Sequence, residues 1–327
     1  MKIDFETLEE TFLSVLIKRR FSPEKAKLIA RVFTETTFDG VFSHGINRFP
    51  RFIGDVDAGT VQPAAVPERI QGMNALEQWD GHQGPGISNS IYCTDQALSL
   101  AQDYGIGCVG LRNTNHWMRG GTYGWRAAEK GFLFMGWTNT IPNMPPWGGK
   151  SAALGNNPFI MAIPFGNDHI VLDMAMSQYS YGKLEWHQKC GTDLPEFGGY
   201  NKNNQLTKNP SEILETERIL PTGLWKGSAL SLVLDLAAAI LSGGKTSKEI
   251  GERSVEADLS QVFIAVNIKR HLSQNQLNTL IEETLGFVTK QNESALYPGQ
   301  RSMANRNHHM KNGIEIPQEI WVEITGL

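Results

Sequence analysis

Gly105-Ile106-Gly107-Cys108-Val109-Gly110 has the spacing of the G-x-G-x-x-G dinucleotide fingerprint, and Glu129 lies near the offset expected for its ribose acid. The elements on either side decide whether that reading stands. The fingerprint works when a strand leads into the glycines and a helix leaves them, so that the helix amino terminus faces a pyrophosphate. Here the order is inverted. Ser88 to Asp103 carries a helical pattern that runs on to Tyr104, and Ile106 to Leu111 is a buried-strand run. Gly105 is therefore read as a helix stop, and an ordinary Rossmann site is rejected.

Working outward from this point, short apolar runs alternate with helical stretches from about residue 74, which is the texture of an α/β domain. Thr122 to Lys130 reads as a helix and Phe132 to Thr138 as a strand. Ile160 to Pro164 and Ile170 to Leu172 read as strands pairing around Gly166-Asn167-Asp168. Gly198 to Pro210 is polar and turn-rich and is expected to be a surface loop. Leu224 to Leu241 is a long apolar helix stopped by Gly243-Gly244, Val262 to Val266 a strand, and Gln274 to Lys290 an amphipathic helix. Ahead of the α/β texture, the first 20 residues form an amphipathic helix, and Ser22-Pro23 opens a second that closes at Gly40. Arg48 to Ala58 forms a third, closed by Gly59, so the opening of the chain is expected to be all helical.

At 327 residues, with 40% hydrophobic and 20% charged content, the chain suits one large domain or two with an ample core. A net charge of −4 leaves no footprint for nucleic acid, which is not expected as a partner. The start Met1-Lys2-Ile3-Asp4-Phe5-Glu6 has no secretory pattern, and no 18 apolar residues follow one another, so no membrane span is expected. Cys93, Cys108 and Cys190 are widely spaced and read as reduced core fillers.

Four motifs bear on chemistry. In Gly40-Val41-Phe42-Ser43-His44-Gly45-Ile46-Asn47-Arg48 a proton carrier precedes a fixed cation by four residues, which on a helix places both on one face. An imidazole exchanges a proton near neutrality, and a guanidinium grips a carboxylate with two parallel hydrogen bonds, so the pair suits an oxo acid. A surface His beside a surface Arg is the plainer alternative. Asn113-Thr114-Asn115-His116 lies just past a strand end, where α/β sheets place ligands, so His116 either joins a site or is a loop histidine. Pro221-Thr222-Gly223-Leu224-Trp225-Lys226-Gly227 leads into the apolar helix and either cradles an anion or merely turns the chain with Trp225 in the core. Asp173, after an apolar run, either accepts ribose hydroxyls, orients a histidine or caps a turn. His308-His309 sits in a polar tail and is expected to be solvent-exposed, and no motif argues for a metal. Gly148-Gly149-Lys150-Ser151 lacks the leading glycine of a P-loop because Met144 stands there, and no G-x-S-x-G elbow is present.

Taken together and in order, these segments resemble the second malate/L-lactate dehydrogenase family along nearly the whole chain. The likeness rests on Ser43-His44-Gly45 with Arg48, Arg112-Asn113 with Asn115-His116, Gly155 through Pro158, Leu172-Asp173-Met174 through Ser177 to Gly182, Trp225-Lys226-Gly227 and Tyr297-Pro298-Gly299. Within it, Asn47 to Ile53, Asn115 to Gly121 and Met144-Pro145-Pro146-Trp147-Gly148 resemble a branch acting on 2-oxo sugar acids. The resemblance implies an α/β, non-Rossmann fold of the L-sulfolactate dehydrogenase type, with a mixed sheet. Its helical part would be built from both chain ends, 1–73 plus 299–327, around a central 74–298 domain. It implies NAD (NADH) as cofactor, with NADP as the alternative, a small oxo sugar acid as substrate, and a cytoplasmic homodimer. His44 would be the proton donor, with Arg48 and His116 holding the substrate. The cofactor would touch His169, Ile170, Val171, Leu172, Asp173, Met174 and Ala175, then Trp225 and Lys226, then Gly299, Gln300 and Arg301. Dehydrogenases of malate, lactate or ureidoglycolate, a cyclic imino acid reductase, and a non-catalytic sugar-acid binder are the alternatives. Two departures from the family pattern stand out: Asn156 in Gly155-Asn156-Asn157-Pro158, where the family often has threonine, and Gln300, near which an acid or histidine is usual.

Overall fold

A computed structural model describes all of residues 1–327 except 254, 291 and 293. A two-residue strand, β1 (Lys2–Ile3), precedes three helices, α1 (Phe5–Ile17), α2 (Pro23–Phe38) and α3 (Phe49–Asp57). The sheet-forming stretch follows with β2 (Glu68–Met73), β3 (Leu76–Asp80), α4 (Gly86–Tyr104), β4 (Ile106–Thr114), α5 (Gly121–Glu129), β5 (Leu133–Thr138), β6 (Phe159–Ile163) and β7 (Ile170–Met174). After it come α6 (Tyr181–Cys190), the ribbon β8 (Gly199–Tyr200) and β9 (Leu206–Thr207), α7 (Pro210–Thr216), α8 (Trp225–Ser242) and α9 (Ser247–Gly251). The chain closes with β10 (Leu259–Val266), α10 (Gln274–Thr289), α11 (Gln300–Asn312), β11 (Ile314–Glu315) and α12 (Gln318–Thr325).

Seven strands form one mixed sheet in the order β2-β3-β4-β10-β5-β6-β7. Of its pairs only β3 with β4 is parallel, so the doubly wound topology of a Rossmann domain is absent. The glycine triplet that imitates the fingerprint has a packing role instead. Gly105 ends α4 in the left-handed conformation at φ 88°. A Cβ on Gly107 would lie 2.2 Å from the Ala97 carbonyl of α4, and one on Gly110 would lie 2.3 Å from the Leu241 carbonyl of α8. The small residues of β4 therefore let a helix close down on each face of the sheet.

The two chain ends meet. β1 pairs antiparallel with β11, α12 packs on α1 and α3, and α11 packs on α2. Their core is aromatic: Phe12 lies 4.2 Å from Phe49 between ring centroids, and Phe33 meets Phe49 edge-to-face at 5.1 Å. Burying these rings fixes α3 on α1 and α2, and the first turn of α3 is where Arg48 sits. Asp39, the residue after α2, adds a polar lock. Its buried carboxylate accepts Arg306 Nε at 2.6 Å and Nη2 at 2.8 Å from α11, and also Arg119 Nη1 from the loop before α5.

Several local expectations need correction. The opening is not all helical, since β1 and β2 lie within it, and β2 is an edge strand of the main sheet. Gly198 to Pro210 is not a bare loop but holds the β8–β9 ribbon, tied by Thr207 and Asn209 to the start of α7. His308 and His309 lie on α11; His308 is exposed, but His309 Nδ1 donates to the Phe38 carbonyl at 2.6 Å. Short-range polarity did not signal that helix because α11 has no buried residue of its own. Cys93 is a core residue, whereas Cys190 is exposed and Cys108 half-buried. The helix α8 has the length and apolarity of a membrane span, although no run of 18 apolar residues exists. Its inner residues Leu234 and Ala238 pack in the core, while Leu232, Val233, Leu236 and Ile240 face outward.

Removing one partner of a buried, hydrogen-bonded ion cluster strands the remaining charges, at a cost of about 3–5 kcal/mol. Asp39→Asn is therefore expected to lower the melting temperature clearly in a thermal denaturation scan. Asp57→Asn, which breaks an exposed pair with Arg19, is the control and should cost under about 1 kcal/mol.

Candidate active site

The Ser43-His44-Gly45 stretch is not helical; it is a run of consecutive turns between α2 and α3. His44 N donates to the Val41 carbonyl at 3.1 Å and Arg48 N to the Gly45 carbonyl at 2.9 Å, so the turns bring His44 and Arg48 to the same side. Gly45 presses on α2, where a Cβ would stand 2.5 Å from Thr37 Oγ1, and that hydroxyl accepts Ile46 N at 2.9 Å. Thr37 in turn donates to the Phe33 carbonyl, so the loop is pinned to the aromatic core.

From the opposite side, β4 ends at Thr114 and delivers Asn115-His116. The Asn115 amide nitrogen donates to the carbonyls of Thr60, Gln83 and Gly84, tying the strand end to the segments before β2 and α4. His116 Nδ1 accepts the Met118 backbone N–H at 3.0 Å. That bond fixes the tautomer: in the neutral ring the proton sits on Nε2, which is left to donate. The His44 and His116 rings stack 6.0 Å apart at 24°, and His44 Nδ1 shares a hydrogen bond with Ser43 Oγ at 3.0 Å.

Both imidazoles and Arg48 line a cavity of about 840 Å³ between the α2–α3 loop, α6, the segment after β5 and α12. A smaller lobe of about 150 Å³, lined by Arg48, Arg51, Asn115, His116 and Glu256, opens beside it. The electrostatics follow from crowding by cations. Burial together with Arg48 and Arg119 pushes the His44 pKa down to about 4, and burial with Arg48 holds His116 well below the usual histidine range. Arg48 has a loose counter-ion: its Nη2 lies 3.7 Å from Glu256 Oε2.

The three segments expected to hold a cofactor lie around β7, the edge strand of the sheet, and none of their residues lines the cavity that holds His44. Val171 N donates to the Pro298 carbonyl at 3.0 Å, and Gly299, at φ 98°, leaves space a Cβ would fill, 3.1 Å from the His169 carbonyl. Gln300 turns its side chain back to accept Tyr297 N, and Arg301 is exposed. At the other end of β7, Thr222 N donates to the Met176 carbonyl and Gly227 packs on that same carbonyl, which brings the start of α8 to the residue just past Ala175. Trp225 is 61% exposed, so it is not the core residue its plainer reading suggests. Asp173 accepts Gly121 N at 2.7 Å at the start of α5. β7 is joined to the cavity wall, because Met176 N, just past the strand, donates to the carbonyl of Asn156, whose side chain lines the cavity.

The sequence profile of the malate/L-lactate dehydrogenase family matches residues 3–325. The chain belongs to that family. It is 43% identical to a 2,3-diketo-L-gulonate reductase of Citrobacter koseri and 42% identical to one of Klebsiella pneumoniae, each alignment covering 100% of both chains. Among solved structures, the sulfolactate dehydrogenase of Methanocaldococcus jannaschii superposes with a TM-score of 0.90 at 27% identity, covering 100% of this chain and 98% of that one. The fold is thus the non-Rossmann, mixed-sheet α/β fold of that enzyme, and membership of the family makes the protein an oxidoreductase. Several cavity residues had no sequence signal. Glu256, Glu185 and Thr140 sit in no motif and reach the site only because β10, α6 and β5 converge there.

The depressed imidazoles set a sign for pH dependence. Below pH 6.5 an unfolded histidine binds a proton that folded His44 refuses until about pH 4, so stability present above 6.5 is lost progressively as pH falls through that window. Melting temperature plotted from pH 7.5 to 4 should fall, and His44→Gln should flatten part of the decline. Equal slopes for the two proteins would show that His44 is not held neutral.

Proposed function

We propose that the protein reduces the keto group of a 2-oxo sugar acid, 2,3-diketo-L-gulonate, to the hydroxy acid 3-keto-L-gulonate with NADH. The observation that carries this reading is the convergence of His44, Arg48 and His116 on one cavity. Its support from relatives is the name shared by the two enzymes above, at 42 and 43% identity over their full length.

The residues divide the work. Arg48 grips the substrate carboxylate through its planar fork and so sets which face of the neighbouring ketone is presented. His116, with its proton held on Nε2 by the Met118 bond, donates to the ketone oxygen and polarises it. A reduced nicotinamide bound along β7 would supply the hydride. His44 gives its proton to the oxygen as negative charge develops there. Burial, reinforced by Arg48 and Arg119, keeps His44 neutral before substrate binds. A carboxylate seated on Arg48 cancels that field and raises the proton affinity of the imidazole, so substrate binding brings in the proton the reaction consumes.

His44→Ala should lower kcat by about 100-fold to 10,000-fold while NADH binding, read by fluorescence titration, stays intact. Arg48→Lys keeps the charge but loses the fork, so KM for the oxo acid should rise. Normal turnover in the first variant, or an unchanged KM in the second, removes that residue from the mechanism.

The same reading includes a homodimer built on the outer face of α8, where Leu232, Val233, Leu236 and Ile240 present a contiguous apolar stripe, with Ile240 73% exposed. Ile240→Glu should convert the dimer to monomer in size-exclusion chromatography with light scattering. A monomeric parent protein would refute the assembly.

A further inference from the structure

The charges around the cavity are unusual for a site that receives an anion. Its cations are Arg48, Arg51 and Lys189, and they are outnumbered by the carboxylates of Glu185, Glu217, Glu256, Glu319 and Glu323. One of these acids is central. Glu256, on the loop between α9 and β10, lines both the large cavity and the small lobe, and its side chain is only 11% exposed. Oε1 accepts Ile141 N at 3.3 Å, which anchors the carboxylate, and Oε2 stands 3.7 Å from Arg48 Nη2, close enough to share charge but too far for a hydrogen bond. Arg48 is thus held by an internal counter-ion and keeps donors free for one incoming carboxylate. The rest of the wall offers neutral hydrogen-bonding groups: Asn47, Thr140, Asn143, Asn156 and Tyr181. A cavity of about 840 Å³ is also roomier than a three- or four-carbon acid requires.

We propose that Glu256 is a specificity-determining residue: it accepts hydroxyl hydrogens from the tail of a monocarboxylic polyhydroxy oxo acid and repels substrates bearing a second acid group. The proposal rests on the reading of this cavity as an oxo-acid site. Its physical basis is an asymmetry. A buried carboxylate is a strong acceptor for hydroxyl donors, and a like charge placed beside it in a partly dehydrated cavity is penalised heavily. Substrate selection in this cavity therefore comes from repulsion as much as from attraction.

The test compares Glu256→Gln, which keeps shape and hydrogen-bonding capacity but drops the charge, with Glu256→Asp, which keeps the charge. For each, kcat/KM is measured on 2,3-diketo-L-gulonate and on oxaloacetate, a four-carbon 2-oxo diacid. Binding of tartronate, a diacid that cannot be reduced, is followed by tryptophan fluorescence. Glu256→Gln should raise the diacid-to-sugar-acid ratio by at least about 10-fold, chiefly through KM, and should tighten tartronate by a similar factor. Glu256→Asp should still discriminate against the diacid. An unchanged ratio in Glu256→Gln, with the parent protein active on the sugar acid, overturns the role of Glu256 and leaves the functional reading intact. If the parent protein reduces neither acid, the functional reading falls, and equal tartronate affinity in parent and Glu256→Gln overturns the charge claim separately.

Discussion

The buried carboxylate of Asp39, held between the guanidiniums of Arg306 and Arg119, is the contact on which the rest of the arrangement depends. It joins three parts of the chain that no local rule would bring together: the end of α2, the loop ahead of α5 and the helix α11 near the carboxy terminus. Gly40 follows it directly and opens the turns that carry His44, while Arg119 also reaches Ser302 on α11. A charge this deep is tolerated only where its partners satisfy it, so the cluster demands one placement of these segments over all others. The two ends of the protein are thereby closed over the loop that carries His44.

A second constraint is electrostatic. Burial, with Arg48 beside both, keeps the stacked rings of His44 and His116 neutral. In the proposed reaction, a carboxylate bound at Arg48 would raise the proton affinity of His44, so binding and proton supply would be coupled through one guanidinium. Glu256, 3.7 Å from that guanidinium, is the fixed negative charge already next to it.

The segment that leaves β7 backs onto the wall of the cavity that holds His44. Asn156 belongs to that wall: its backbone carbonyl holds Met176, and its side chain accepts Thr140 Oγ1 at 3.1 Å and Asn143 Nδ2 at 3.0 Å. Two hydrogen bonds to one amide oxygen thus knit the wall to the strand that leads into it.

Patterns within a few turns or strands were legible in the amino-acid order. The cap of α2, the stop at Gly105, the β6–β7 hairpin and the body of α8 all follow from periodicity, from glycine at positive φ and from serine at a helix start. The inverted order around the glycine triplet was enough to discard a Rossmann domain, and the presence of a proton carrier and a fixed cation in one motif was readable from residue types alone. Strand order, the pairing of β1 with β11, the burial of Asp39 and the approach of Glu256 to Arg48 were not. Each depends on the free energy of contacts between segments far apart along the chain, and a polar residue has no periodic signature announcing which distant partner will satisfy it. Residue identity determined what each group is able to do, and the tertiary fold decided which groups face one another, because burial is settled only when the whole core closes.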